Sequence, residues 1–368
     1  MKARILIVTL IFFCLNASAK TNLNQKRSMI FNGGGFKTAM FLGMLKGAKD
    51  SNLAPDYIIG TCGGSIPAAI AHSINDYMAQ LEFVRSRKFY KMLKSISLSE
   101  YSSVGKTLGL AKDFYAKYKM NGIIPDLFDN FLMNVPENID LPEISSDFTP
   151  YSHSTIIVAS KILYTKKDIE VERGDRKLFQ QVLFTDEATT QKLIGLKAQA
   201  SKVEGSSVLS EIELITNATL TEAARASISD PFYMEPAYFA GERYITGAID
   251  LYPIEVAKRL ASEVISVYPD RFDIIEEGAI YATFNFSHNE RHKYVYSKEI
   301  DYLIDYTDFP SELKFTPKPD FLAWEIKSRL PISYEEYREV VRKQFNYGYR
   351  RMLESAKNKN SKSHIRNL

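Results

Sequence analysis

The sequence predicts an α/β fold: a three-layer αβα domain with a mainly parallel central sheet and helical insertions. Three observations predict it. The apolar run Ser28-Met29-Ile30-Phe31 enters Asn32-Gly33-Gly34-Gly35, and Phe36 to Asp50 then reads as a helix. Asp56-Tyr57-Ile58-Ile59-Gly60 repeats the arrangement, entering Thr61-Cys62-Gly63-Gly64 and a helical stretch from Ser65 to about Arg87. Strand, glycine turn and helix twice in succession argue for parallel strands with helices on the sheet faces. Much later, the β-rich stretch Thr155 to Ser160 returns the chain to the sheet.

Between these elements, Ser73 to Val135 reads as largely helical, with aromatics spread through it, and the Pro-containing segment Pro136 to Pro150 reads as loop. Ala188 to Ser210 lacks aromatics and is rich in small and polar residues, which suggests a mobile surface excursion. Thr219 to Ser227 is expected to be helical, Arg243 to Ile245 a strand and Ile254 to Ala261 a helix. Ala279 to Phe286 and Lys293 to Tyr296 flank a polar turn in the manner of a hairpin. Ser333 and Glu336 form a capping-box pattern ahead of Tyr337, Val341, Phe345, Gly348 and Met352, which recur at helical spacing and predict a helix packed on the body. From Lys357 onward the sequence is basic and nearly devoid of apolar residues, so residues 357–368 are expected to be a disordered tail.

Composition narrows the function. With 45% hydrophobic and 25% charged residues in 368, the chain has ample material for a core, and disorder as the main state is excluded. Lys plus Arg number 47 against 44 acids. So even a balance argues against a nucleic-acid partner.

The N-terminus has the layout of an export signal: Lys2 and Arg4, an apolar run from Ile5 to Leu15, then Ala17-Ser18-Ala19. Cleavage after Ala19 would leave residues 20–356 as the domain, in the periplasm or outside the cell, and would remove two cations, taking the net charge from +3 to +1. It would also remove Cys14, so Cys62 would be the one remaining thiol, in a compartment where disulfides are usual.

Gly33, Gly34 and Gly35 allow a tight turn and present backbone N–H groups at a helix N-terminus, an arrangement suited to an anion or oxyanion. The dinucleotide fingerprint does not fit, because Thr38 stands where its last glycine belongs. The second turn, Gly60-Thr61-Cys62-Gly63-Gly64, has the G-x-nucleophile-x-G spacing of a nucleophile elbow, with Cys62 in the presented position.

Here a family resemblance becomes specific. NGGGFKTAMFLGMLKGAKDSNLAPDYIIGTCGGSIPAAIA resembles the oxyanion motif, first helix, second strand and elbow of the patatin-like phospholipases, in order, and AARASISDPFYMEPAYFAGERYITGAIDLYP resembles their segment bearing the second reacting residue. The similarity covers roughly residues 28 to 260. It implies the patatin-like fold and an acyl hydrolase that cleaves lipid esters with a Ser-Asp dyad, without a cofactor. On that resemblance Gly33, Gly34 and Gly35 match the oxyanion glycines and Lys37 a basic, substrate-binding position; Cys62 occupies the serine seat and Thr246, before Gly247 and Ala248, the aspartate seat.

The expected function is therefore an exported protein that recognises lipid or phospholipid acyl esters without ordinary Ser-Asp hydrolysis, binding lipid or a protein partner on the hydrolase scaffold. The alternative is an active hydrolase or acyltransferase with Cys62 as nucleophile and Thr246 as an orienting hydroxyl. A thiol needs a base less than serine does, since its ordinary pKa of about 8.5 leaves a few per cent thiolate. The aromatics from Tyr77 to Phe131 suit core and half-buried surfaces, with an acyl groove or peripheral membrane contact as the alternative.

Five further side chains bear on the site. Ser65, one helical turn past the elbow, is expected to cap or pack; Asp250 reads as a solvated loop acid; His72 reads as a packed or surface histidine. His288 and His292 have the spacing of a zinc helix, but on a hairpin turn they would hold no metal. Gly105-Lys106-Thr107 is no phosphate loop, because Glu100 stands at its first glycine.

Overall fold

The computed structural model describes residues 26–33, 37–98, 122–129, 131, 133–136, 144–269, 271–272, 274–315, 318–320, 325–327, 330–331 and 333–358. The elements run β1 (Arg27–Phe31), α1 (Thr38–Asp50), β2 (Tyr57–Thr61), a 3-10 turn (Cys62–Gly64), α2 (Ser65–Ser73), α3 (Tyr77–Val84), α4 (Arg87–Ser95), β3 (Ser97–Leu98), β4 (Met133–Asn134), β5 (Ser154–Ile162) and β6 (Phe179–Phe184). There follow α5 (Glu187–Leu193), β7 (Glu213–Ile215), α6 (Leu220–Ile228), β8 (Ala237–Phe239), β9 (Glu242–Ile245), α7 (Ile254–Leu260), β10 (Glu263–Tyr268), α8 (Ile274–Phe284), α9 (His288–Tyr296), β11 (Tyr302–Asp305), β12 (Lys318–Asp320), β13 (Glu325–Lys327) and α10 (Tyr334–Lys357).

The central sheet has the order β11-β10-β1-β2-β5-β6-β7, parallel from β11 through β5 and antiparallel where β6 joins β5. Its central strands β1, β2, β5 and β10 are buried on both faces and largely apolar, as parallel strands between helices must be. Side chains alternate between the faces. Met29, Phe31, Ile58, Ile157 and Ile265 join the core formed with α1, α2, α6 and α10, whereas Ile30, Ile59, Ile156, Val158 and Val264 join the core formed with α5 and α7. This is the three-layer α/β architecture expected, and the stripe Tyr337, Val341, Phe345, Gly348 and Met352 of α10 is buried as its spacing predicts.

The register of β5 places the site. β2 runs along β5 until Thr61 pairs with Val158, and β9 runs the opposite way along β5 until Ile245 pairs with Ser160. The two strands thus approach end to end on the same flank of β5. Their last pairs lie two positions apart on β5, with Ala159 between, about 7 Å at the ordinary rise per residue. Cys62 and Thr246, the next residue after each strand, are brought face to face.

Several expectations need correction. Ala279 to Phe286 and Lys293 to Tyr296 are not a hairpin: Ala279 to Phe284 belong to α8 and Lys293 to Tyr296 to α9, the second capped by Ser287, whose Oγ accepts from the Glu290 N–H at 3.1 Å. Ala188 to Ser210 is no loose excursion: α5 opens it, and Leu193, Ala198, Ala200 and Val208 are buried in the second core. The helix after the elbow ends at Ser73 instead of continuing to Arg87, and the described residues between Gly122 and Pro136 form no helix. The export signal, the Gly105-Lys106-Thr107 run and residues 359–368 of the tail lie outside the described residues; Lys357 itself closes α10. Among the described residues no helix is long and apolar enough to cross a membrane.

Candidate active site

Cys62 leaves β2 with φ of +49°, a left-handed conformation that costs a residue with a Cβ about 1–2 kcal/mol. Bonds on every side hold it there. Its N–H donates to Ser227 Oγ at 2.9 Å, and Ser227 in turn donates to Val158 O at 2.6 Å. Its carbonyl accepts from Ser65 Oγ at 2.7 Å, so Ser65 is the local brace its position suggested. The preceding Thr61 hydroxyl donates to Gly247 O at 2.7 Å, tying the elbow to the turn after β9.

Two glycines make the junction close. A Cβ on Gly64 would stand 2.0 Å from Phe31 O, so only glycine lets the elbow cross the end of β1. A Cβ on Gly247 would stand 2.4 Å from Thr61 Oγ1 and 2.6 Å from Cys62 N. Gly33 lies directly against the thiol, since a Cβ there would be 3.2 Å from Cys62 Sγ. Gly34 and Gly35 lie outside the described residues. Lys37 begins α1 as its N-cap residue, buried, with Nζ 4.6 Å from the centre of the Tyr306 ring.

Thr246 is fully buried; its hydroxyl accepts from the Ala248 N–H at 2.9 Å and donates to Asp230 Oδ1 at 2.5 Å. Cys62 Sγ lies 3.5 Å from each oxygen of the same carboxyl. Asp230 is thus the group that joins the two positions read from sequence, and sequence reasoning missed it. It follows the last turn of α6 and precedes Pro231, which excludes further helix and sends the chain across the site. Among the described residues it forms no ion pair, and burial holds its pKa above the ordinary carboxylate value against the opposing bonds from Thr246 and Cys62. The quoted segment AARASISDP contained the signal: an acid just beyond a helix that packs on the elbow.

Asp250, read as a solvated loop acid, is instead buried and ion-paired with Arg291 at 3.3 Å. Arg291 also bonds Glu255 through both terminal nitrogens and donates to Tyr252 O at 3.1 Å, fastening the turn that carries Thr246 to α9. His288 of α9 is fully buried and its Nε2 donates to Ala248 O. His292 Nε2 donates to Pro269 O at 3.1 Å. The two histidines lie on a helix after all, but each is engaged with a backbone carbonyl, and no cluster of three or more metal-ligating residues occurs among the described residues. His72 is buried, with Nδ1 3.2 Å from Thr155 Oγ1.

A mainly parallel sheet with a left-handed residue between strand and helix, facing a second turn at the same edge, defines an α/β protein of the nucleophile-elbow kind. A family model described as "Patatin-like phospholipase" matches residues 29–258, well over half the chain, and the chain belongs to that family. Membership implies lipid acyl hydrolase-type function with lipid esters as the kind of substrate. Comparison with curated protein sequences gives no match. Among solved structures the chain is similar to VipD from Legionella pneumophila at 12% identity, over 91% of this chain and 67% of that one, with a TM-score of 0.35.

Proposed function

We propose that this chain transfers the acyl group of a lipid ester through the Cys62 thiol, to water or to a hydroxyl acceptor. The observation that carries the reading is the thiol itself: it sits on left-handed backbone at the end of a parallel strand, beside Gly33, with a carboxyl 3.5 Å away. Sulfur, unlike a serine hydroxyl, is appreciably ionised near neutral pH, so a site without the family's usual pair retains a competent nucleophile. The layout of Lys2, Arg4, the apolar run to Leu15 and Ala17-Ser18-Ala19 supports action outside the cytoplasm.

A second reading, a lipid-binding scaffold without turnover, is favoured by Thr246, an uncharged residue whose hydroxyl is already committed on both sides. Incubation with phospholipid vesicles, followed by measurement of free fatty acid and of intact protein mass, separates the two. Fatty-acid release that is lost in Cys62→Ala supports the thiol reading. Saturable vesicle binding without release or adduct supports the scaffold.

A further inference from the structure

We propose that the general base of this site is Asp230, at the end of α6, and that Thr246, in the turn after β9, is its positioning residue. The inference rests on the thiol reading above and deepens it. In this arrangement the acid and the turn expected to supply it have been separated: the turn contributes a hydroxyl, and the carboxyl arrives from a neighbouring element.

The geometry carries the assignment. Cys62 Sγ is equidistant, at 3.5 Å, from both oxygens of Asp230, a sulfur-to-oxygen separation at which a thiol donates its proton. The Thr246 hydroxyl donates to Oδ1 at 2.5 Å, which leaves Oδ2 to the thiol. Thr246 is itself aimed by the Ala248 N–H at 2.9 Å, and its backbone N–H donates to Ser229 O at 3.0 Å, one residue before the carboxyl. Pro231 fixes the chain on the other side. Asp230 therefore has a bond network that orients it and, among the described residues, no cation that would hold it ionised and inert.

The chemistry balances. Asp230 accepts the thiol proton as Sγ attacks the ester carbonyl; the carbon–sulfur bond forms, the carbon–oxygen bond to the alcohol breaks, and the alcohol leaves with the proton that Asp230 returns. Water or an acceptor hydroxyl then attacks the thioester, giving its proton to Asp230, and the expelled Sγ recovers it. An ordinary aspartate carboxyl holds a proton roughly 40,000-fold less tightly than an ordinary thiol. Burial pushes the Asp230 pKa upward and so narrows that gap, which makes it a better base here than a solvated acid would be.

The test uses the full chain and p-nitrophenyl butyrate, following nitrophenolate release and the butyryl adduct by intact mass from pH 5 to 9, in the parent protein, Cys62→Ala, Asp230→Asn and Thr246→Val. Asn keeps the shape of the carboxyl and still accepts from Thr246. The expected result is acylation at pH 7 slowed roughly 10²- to 10⁴-fold in Asp230→Asn, with the residual rate rising with pH as free thiolate accumulates. Thr246→Val is expected to lower the rate less and to displace the pH profile, which a merely structural role would not do. Asp230→Asn combined with Thr246→Asp is expected to regain rate over Asp230→Asn alone. A Cys62-dependent adduct that forms in Asp230→Asn at the parent rate and with the parent pH profile overturns the assignment of the base while leaving the thiol reading intact. Absence of any Cys62-dependent adduct in the parent protein overturns both.

Discussion

Removing Arg291 tests whether the turn bearing Thr246 depends on its buried anchor. The guanidinium bridges Asp250, Glu255 and the Tyr252 carbonyl, with the Arg291 and Asp250 side chains only 8% and 4% exposed. Burial works against the charge of Arg291, and the two carboxylates outweigh it and hold its pKa above the ordinary value. In Arg291→Met the aliphatic volume is largely kept but Asp250 is left in the interior without its cation. Breaking a buried pair in this way costs about 3–5 kcal/mol, a large share of the roughly 5–15 kcal/mol that stabilises a typical domain. Urea unfolding followed by circular dichroism should show that loss at pH 8. The orphaned carboxyl would have a folded pKa above its unfolded one, so the folded state would bind the extra proton and the penalty should shrink as pH falls toward 5. Arg291→Met with Asp250→Asn should be more stable than Arg291→Met alone, because the second change removes the stranded charge. A loss below about 1 kcal/mol in Arg291→Met, or no recovery in the double variant, would refute the reasoning.

Two further outcomes follow from the same region. Gly247→Ala places a methyl 2.4 Å from Thr61 Oγ1 and 2.6 Å from Cys62 N, atoms that cannot yield without moving the elbow, so it should cost about 1–3 kcal/mol in thermal or urea unfolding and abolish Cys62 acylation. His288 has its pKa pushed down to about 3 by burial, well below the ordinary 6.5. The unfolded chain therefore takes up a proton that the folded chain refuses: the contribution is complete above pH 6.5 and is lost as pH falls toward 3. Relative to His288→Gln, the parent should lose on the order of 1 kcal/mol per pH unit between 6 and 4, and parallel stability curves for the two would sink this account.

Local patterns were sufficient where one segment decides its own structure. Gly60-Thr61-Cys62-Gly63-Gly64 specified the elbow because its backbone can cross the end of β1 only with glycine at position 64. The stripe from Tyr337 to Met352 specified α10 because a single face had to be buried. Patterns failed where the environment was uniform. Apolar residues alternating with small ones from Ala279 to Phe286 imitate a strand, whereas Ser287 followed by Glu290 is the cap that marks the helix through Lys293 to Tyr296. In Ala188 to Ser210 the buried residues are small or aliphatic, and the cap Asp186, whose Oδ1 accepts from the Thr189 N–H at 2.8 Å, marked α5.

The sequence by itself determined the α/β class and the two glycine turns, and it singled out Cys62 and Thr246. Only the tertiary structure decided what surrounds them. β5 aligns the ends of β2 and β9, α6 delivers Asp230 between them, and Arg291 draws Asp250 away into an anchor. A carboxyl's role depends on which charges and hydroxyls surround it after folding, and those neighbours lie far away along the chain: Cys62 and Asp230 are 168 positions apart.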